Sequence, residues 1–145
     1  MSLSEKELVR YERQLRIHGL GREEQLKLKK ASILVAGVGG LGSIASIYLA
    51  IAGFGRIVLV DKEVVELSNL NRQMLYTEED IGEYKALKAA EKLRKLNPNI
   101  EVEPIVEEIS EKNVEDIVGK VDIVVDGQDN FRTRFLINEA CIKQG

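Results

Sequence analysis

One cysteine, one histidine and two prolines are all that this 145-residue chain holds of those residue types. Cys141 has no partner for an internal disulfide, and no Cys pair is spaced for zinc. With Ile137 and Ile142 beside it in one helical stretch, Cys141 reads as a small buried hydrophobe and not as a nucleophile. His18 follows a helix next to Gly19 without an evident partner, so it is assigned no catalysis. No Pro/Ser/Gly-rich linker interrupts the chain, which is therefore expected to form one domain over residues 1–145 with a sizeable core. Excess charge of one sign is also lacking: 21 basic against 24 acidic side chains give a net charge of −3. That leaves no electrostatic case for nucleic acid or an anionic membrane. Neither a signal peptide nor a transmembrane run is visible, so a reducing cytoplasm is the expected compartment.

What is there is concentrated between Ser32 and Asp61. The apolar run Ser32-Ile-Leu-Val-Ala36 feeds Gly37-Val38-Gly39-Gly40-Leu41-Gly42, then an apolar helix to about Ala52. A second apolar run, Arg56 to Val60, ends on Asp61. In such a strand–loop–helix, Gly37 permits the tight turn, Gly39 lets backbone approach a phosphate, and Gly42 allows helix and sheet to pack closely. The helix N-terminus favours an anion. Asp61, about twenty residues after the loop, is placed to hydrogen-bond a ribose hydroxyl. Gly37, Gly39, Gly40, Gly42 and Asp61 are accordingly candidate nucleotide-binding residues.

The remaining pattern alternates helices and strands. Ser4 and Glu7 form a candidate capping box opening a helix that carries Leu8, Tyr11 and Leu15, broken by Gly19 and Gly21. A charged helix over 22–30 completes a helical extension, residues 1–30, ahead of an α/β part over 31–145. After Asp61 a polar irregular stretch runs to about Gly82. Then come a helix over 84–96 stopped by Asn97-Pro98, a strand over 100–106, a helix over 110–118, a buried-type strand over 121–126 and a last helix over 130–143. Pro104 marks the third strand as a sheet edge. Tyr11, Tyr48 and Tyr84 read as core or helix-packing residues. Strands joined by helical crossovers predict an α/β, Rossmann-like, doubly wound and mostly parallel sheet. Arg72 and Lys85 lie downstream of the second strand's carboxyl end, where open α/β sheets bind ligands. They can bring two positive charges to a polyphosphate. Asp126 and Asp129 put carboxylates near the same edge, suited to magnesium carried by a nucleoside triphosphate.

Arg10-Tyr11-Glu12-Arg13-Gln14, Gly37 to Gly42, Asp61, Leu67-Ser68-Asn69-Leu70-Asn71-Arg72-Gln73, Lys85 and Asp126 to Asn130 occur in the order of the MoeB/ThiF/HesA family, which the chain resembles along nearly its whole length. That family comprises the prokaryotic relatives of ubiquitin-activating enzymes. The resemblance implies ATP-dependent adenylation of the C-terminal glycine carboxylate of a ubiquitin-fold carrier protein, giving an acyl-adenylate and pyrophosphate. It implies that Asp61 holds the ribose, that Asn69, Arg72 and Lys85 bind phosphates, and that Asp129 positions Mg2+. It further implies a homodimer in which Arg13 reaches the neighbouring subunit's site, as an arginine finger does. Arg13, Arg72 and Lys85 are thus the candidate catalytic residues.

Blander roles stand beside these. Asp61 can cap a loop, Arg72 and Lys85 can be solvated charges, Arg13 can be a surface residue of a charged helix, and Asp126 can orient backbone. By resemblance the chain also looks truncated: it ends where the family's next strand begins. The family's second half brings the carrier platform, a crossover loop and often a zinc pair, so zinc is expected only there. Apolar surface of the last helix is then expected to be exposed or covered by a second copy. Two rival functions remain, a non-catalytic dimer partner of such an enzyme and an NAD-binding oxidoreductase module.

Overall fold

The computed structural model describes all residues, 1–145. Four parallel strands, β1 (Ser32–Ala36), β2 (Arg56–Val60), β3 (Glu101–Ile105) and β4 (Ile123–Asp126), lie in the order β3-β2-β1-β4. Helices α1 (Glu5–Arg10) and α2 (Arg22–Lys30) precede the sheet. The others are α3 (Gly40–Ala52), α4 (Lys85–Leu96), α5 (Val114–Val118) and α6 (Phe131–Gln144). Alternation along each strand divides the core. Ile33, Val35, Ile57, Leu59 and Val102 pack with Ala50, Ala89, Ala90 and Leu93 of α3 and α4. Leu34, Ala36, Val58 and Val60 pack with Ile117, Ile137 and Ala140 of α5 and α6. Each large side chain so buried stabilises by about 1.5–3 kcal/mol relative to exposure. The fold is the α/β, Rossmann-like arrangement expected, with helices on both faces.

Order and direction place the site. The chain builds β1, β2 and β3 outward on one side, then crosses to put β4 on the other side of β1. Such a switch opens a crevice at the carboxyl ends of β1 and β4.

Several local expectations hold. Ser4 Oγ accepts the Glu7 N–H at 3.2 Å while Glu7 accepts the Ser4 N–H at 2.8 Å, a complete capping box. Pro104 sits in edge strand β3, and residues 62–82 are irregular apart from short turns at 67–69 and 78–80.

Others need correction. The first helix ends at Arg10, and Leu15 falls in a separate single turn, because Tyr11 turns inward to 3% exposure and the chain bends around it. α5 starts at Val114, since the Asn113 side chain accepts the Ser110 N–H at 2.8 Å and forms a turn there instead. β4 is an edge strand with Ile123 half exposed, not a buried one. Tyr48 and Tyr84 are exposed, and Cys141 is half-buried. Phe131, Phe135 and Ile142 of α6 are exposed, as expected of that helix, and so are Leu41 and Tyr48 of α3. No helix is long and apolar enough to cross a membrane.

Candidate functional site

The glycine turn after β1 is locked by its neighbours. Gly37 has φ of +88°, open to glycine at little cost, and donates its N–H to Val60 O at 2.8 Å. A Cβ on Gly42 would lie 1.7 Å from Gly37 O, so only glycine lets α3 begin this close to the turn. The fully buried Val38 donates its N–H to Asp61 Oδ2 at 2.9 Å and accepts the Tyr76 hydroxyl at 2.6 Å. Burial, with Asp61 and Asp80 nearby, holds the Tyr76 hydroxyl far above its ordinary pKa, so it stays a donor. Hydrogen bonds pin the loop, yet the first-turn N–H groups of Gly40, Leu41 and Gly42 find no acceptor in the chain. They point the positive end of α3 at open space.

Asp61 caps the loop, as its blander reading expected. Oδ2 holds Val38 and Oδ1 accepts the Glu63 N–H at 2.8 Å, so the carboxylate buttresses the loop. It also lines the crevice, where its remaining lone pairs are available.

A cavity of about 320 Å³ opens above the loop, lined by Gly37, Gly39, Gly40, Asp61, Asn69, Arg72, Gln73, Lys85 and Asp129 among others. The structure thus gathers nearly every residue singled out from the sequence. An adjoining cavity of about 300 Å³ shares Asp61, Glu63, Gln128 and Asp129 and extends to Glu107 and Ile109. Lys85 is the most informative member. It is the first residue of α4, where a lysine opposes the helix dipole, and it is only 3% exposed. Two lysines farther along the same helix, Lys88 and Lys92, pair with Asp80. Lys85 pairs with no carboxylate and faces the cavity. A buried cation without a counter-ion is costly unless something negative arrives. Arg72 is exposed, its guanidinium donating to Ser68 O at 3.0 Å and Asn71 Oδ1 at 3.1 Å. Asn69 caps its own turn, its Oδ1 accepting the Glu66 N–H at 2.8 Å, which leaves the amide nitrogen for the cavity.

The two carboxylates after β4 differ. Asp126 Oδ1 accepts the Gln128 N–H at 2.9 Å and its other oxygen lies 3.7 Å from Arg134, so it shapes the loop. Asp129 is exposed, accepts no hydrogen bond in the chain and lines both cavities. No group of three His, Cys, Asp or Glu side chains is arranged to cage a metal. Magnesium that arrives on a polyphosphate needs only one or two protein carboxylates, and Asp129 fits that requirement.

Arg13 is not part of this cavity. The neighbouring Gln14 donates to Ala52 O at 2.8 Å, which fixes Arg13 at the opposite end of α3. That helix is roughly 20 Å long at 1.5 Å per residue, too far for an arginine to reach its own chain's site. The structure also brings in residues to which the sequence analysis gave no role: Gln73, Glu63 and Gln128 line the cavity, and Tyr76 braces its floor. Gln73 lay within a quoted motif, but only burial distinguishes it from a surface glutamine.

A family model described as the ThiF family matches residues 11–145. The chain belongs to the ThiF family. This ThiF-family chain is 46% identical over 145 residues to the sulfur carrier protein adenylyltransferase of Thermus thermophilus, covering 100% of this chain and 54% of that protein. It is 43% identical over 145 residues to the SAMP-activating enzyme E1 of Haloferax volcanii, again covering 100% of this chain and 54% of that protein. Among solved structures it is similar to E. coli tRNA N6-threonylcarbamoyladenosine dehydratase, TcdA, in complex with ATP. The TM-score is 0.92 at 28% identity, over 99% of this chain and 58% of that one. The chain spans about half the length of the curated relatives it matches.

Proposed function

We propose that this chain carries the ATP-binding half-site of an enzyme that adenylates the C-terminal glycine carboxylate of a ubiquitin-fold carrier protein. The observation that carries the reading is Lys85, buried, without a counter-ion and facing a cavity beside the unpaired amides of α3. A polyphosphate supplies the negative charge that both lack. The names of the relatives support the chemistry: one adenylylates a sulfur carrier protein, and the similar dehydratase was solved with ATP.

In the reaction a carboxylate oxygen attacks the α-phosphorus, the bond from that phosphorus to the β-phosphate bridging oxygen breaks, and pyrophosphate leaves with the electron pair. The protein's part is to position and to stabilise charge. Asp61 orients the ribose while holding the loop. Asn69, Arg72, Lys85 and the amides at Gly39 and Gly40 grip the phosphates, and Asp129 holds Mg2+, which when bound offsets charge on the leaving group. Arg13, remote from its own cavity, acts on the site of a second copy, so the working form is a homodimer. The carboxyl substrate is a carrier of the kind the relatives' names describe.

Calorimetric titration with magnesium-ATP and, separately, NAD tests the reading in wild type and Lys85→Met. Saturable ATP binding weakened by the substitution, with NAD silent, is expected. NAD binding indifferent to Lys85 would overturn it in favour of an oxidoreductase module. Unaltered ATP binding by Lys85→Met would remove its central residue.

A further inference from the structure

Gln73 is as buried as the core, at 4% exposure, yet its Oε1 has no hydrogen-bond partner. It is the one buried side-chain nitrogen or oxygen in the chain left so. The other deeply buried amides, Gln25 and Asn97, are engaged in side-chain hydrogen bonds. Its backbone explains its depth but not its side chain. The Gln73 N–H donates to Asn69 O at 2.9 Å and its own carbonyl accepts the Tyr76 N–H at 3.2 Å, so the turn would stand with any residue there. The amide reaches under the glycine loop, its Nε2 lying 3.6 Å from where a Cβ on Gly39 would be, and it lines the cavity with Lys85 and Asn69.

An unmet buried polar atom costs about 1–3 kcal/mol, and an apolar side chain of the same length avoids that cost. Stability alone therefore favours methionine at this position. We infer that Gln73 is a nucleotide-binding residue, its amide donating from beneath the glycine loop to the phosphate chain. This rests on the reading of the cavity as an ATP site. The chemistry suits the amide. Phosphate oxygens are acceptors only, and Nε2 offers two N–H groups on the side where the α3 amides also point. Neutral amide, buried ammonium and helix amides together surround the phosphates without adding a carboxylate to that wall.

The test measures free-protein stability and ligand affinity together, on wild type, Gln73→Met and the equally shaped Gln73→Glu. For Gln73→Met the melting temperature without ligand is expected to rise by about 3 °C, while the Kd for magnesium-ATP rises about tenfold. Adenosine, which lacks the phosphates, is expected to lose nothing. Gln73→Glu sets a carboxylate against the phosphates and is expected to weaken ATP more than methionine does. A purely packing role predicts the reverse for methionine: lower melting temperature, with ATP and adenosine changed alike. ATP affinity unchanged in both variants would overturn the inference while leaving the cavity an ATP site. Failure of the wild type to bind ATP would sink that reading and the inference with it.

Discussion

Helices α3 and α4 treat buried polar groups in opposite ways at their two ends. At the carboxyl ends the groups are paired. Gln14 and Gln25 both donate to Ala52 O, and Gln14 also bonds Gln25. Asn97 donates to Ala50 O and to the Tyr11 hydroxyl at 2.8 Å each, and Arg10 donates to Leu96 O at 3.1 Å. The N-terminal extension thus satisfies the last carbonyls of two helices and brings a positive charge to the negative end of one of them. At the amino ends, Lys85, Gln73 and the first amides of α3 face a cavity unpaired. One end uses its polar groups to hold the fold, and the other leaves them unpaired at an open cavity.

The comparison can be broken most readily at the paired end. Asn97→Ala removes a fully buried side chain, leaves the buried Tyr11 hydroxyl without its partner and takes one of two donors from Ala50 O, so a loss of about 3 kcal/mol in urea unfolding is expected. ATP affinity of the folded fraction should be unaltered, and a variant that kept its stability would refute the anchoring role. Lys85→Met reverses the pattern. ATP affinity should fall about 30- to 140-fold, the worth of one charged hydrogen bond of about 2–3 kcal/mol. Its unfolding midpoint without ligand should hold or rise, and a clear drop would show that Lys85 serves the fold.

Asp80 offers an intermediate case between the ends. Burial alone would raise its pKa, but hydrogen bonds from the Lys92 ammonium and the Thr77 backbone outweigh that and hold it below its ordinary 3.8. A lowered folded-state pKa stabilises fully above the ordinary value and is lost as the pH falls through the folded one. Asp80→Asn should therefore cost about 1–2 kcal/mol at pH 7, with the gap to wild type closing in acid below the ordinary value. Unfolding midpoints over that range check it, and a pH-independent gap would refute the ion-pair account.

The smallest effect on a single chain is expected at Arg13. Arg13→Ala should change stability by less than about 0.5 kcal/mol, as an exposed substitution does. ATP affinity of one chain should stay within about twofold. Adenylation by the proposed homodimer should fall, and mixing Arg13→Ala with Lys85→Met chains should restore part of it, because a mixed dimer keeps one intact site. No recovery on mixing would exclude action between copies.

Residues 32–61 were legible because local rules govern them. A period-two apolar run, a glycine turn and a terminal acid act over a few neighbouring residues, and β1, β2 and α3 appear where the pattern put them. The α2 limits, the Ser4–Glu7 box and the edge position of Pro104 were legible for the same reason. The early end of α1 and the edge position of β4 were not, since each depends on what lies across space: the pocket that takes Tyr11, and a sheet in which β4 pairs with β1 alone. The family motif named Asn69, Arg72 and Lys85 but carried no sign that Lys85 is buried without a counter-ion.

By itself, then, the sequence determined the strand and helix content, the glycine turn and the acid at its side, which short-range spacing carries, and the family, which the resemblance of motifs along nearly the whole chain carries. Only the tertiary structure decided which polar groups are satisfied and which are left unpaired at the cavity. Gln73 and Gln25 are the same residue type on one chain, and both are buried. One lies against the carbonyls at a helix's end and the other against an open cavity, and hydrogen bonding answers to that surrounding space alone.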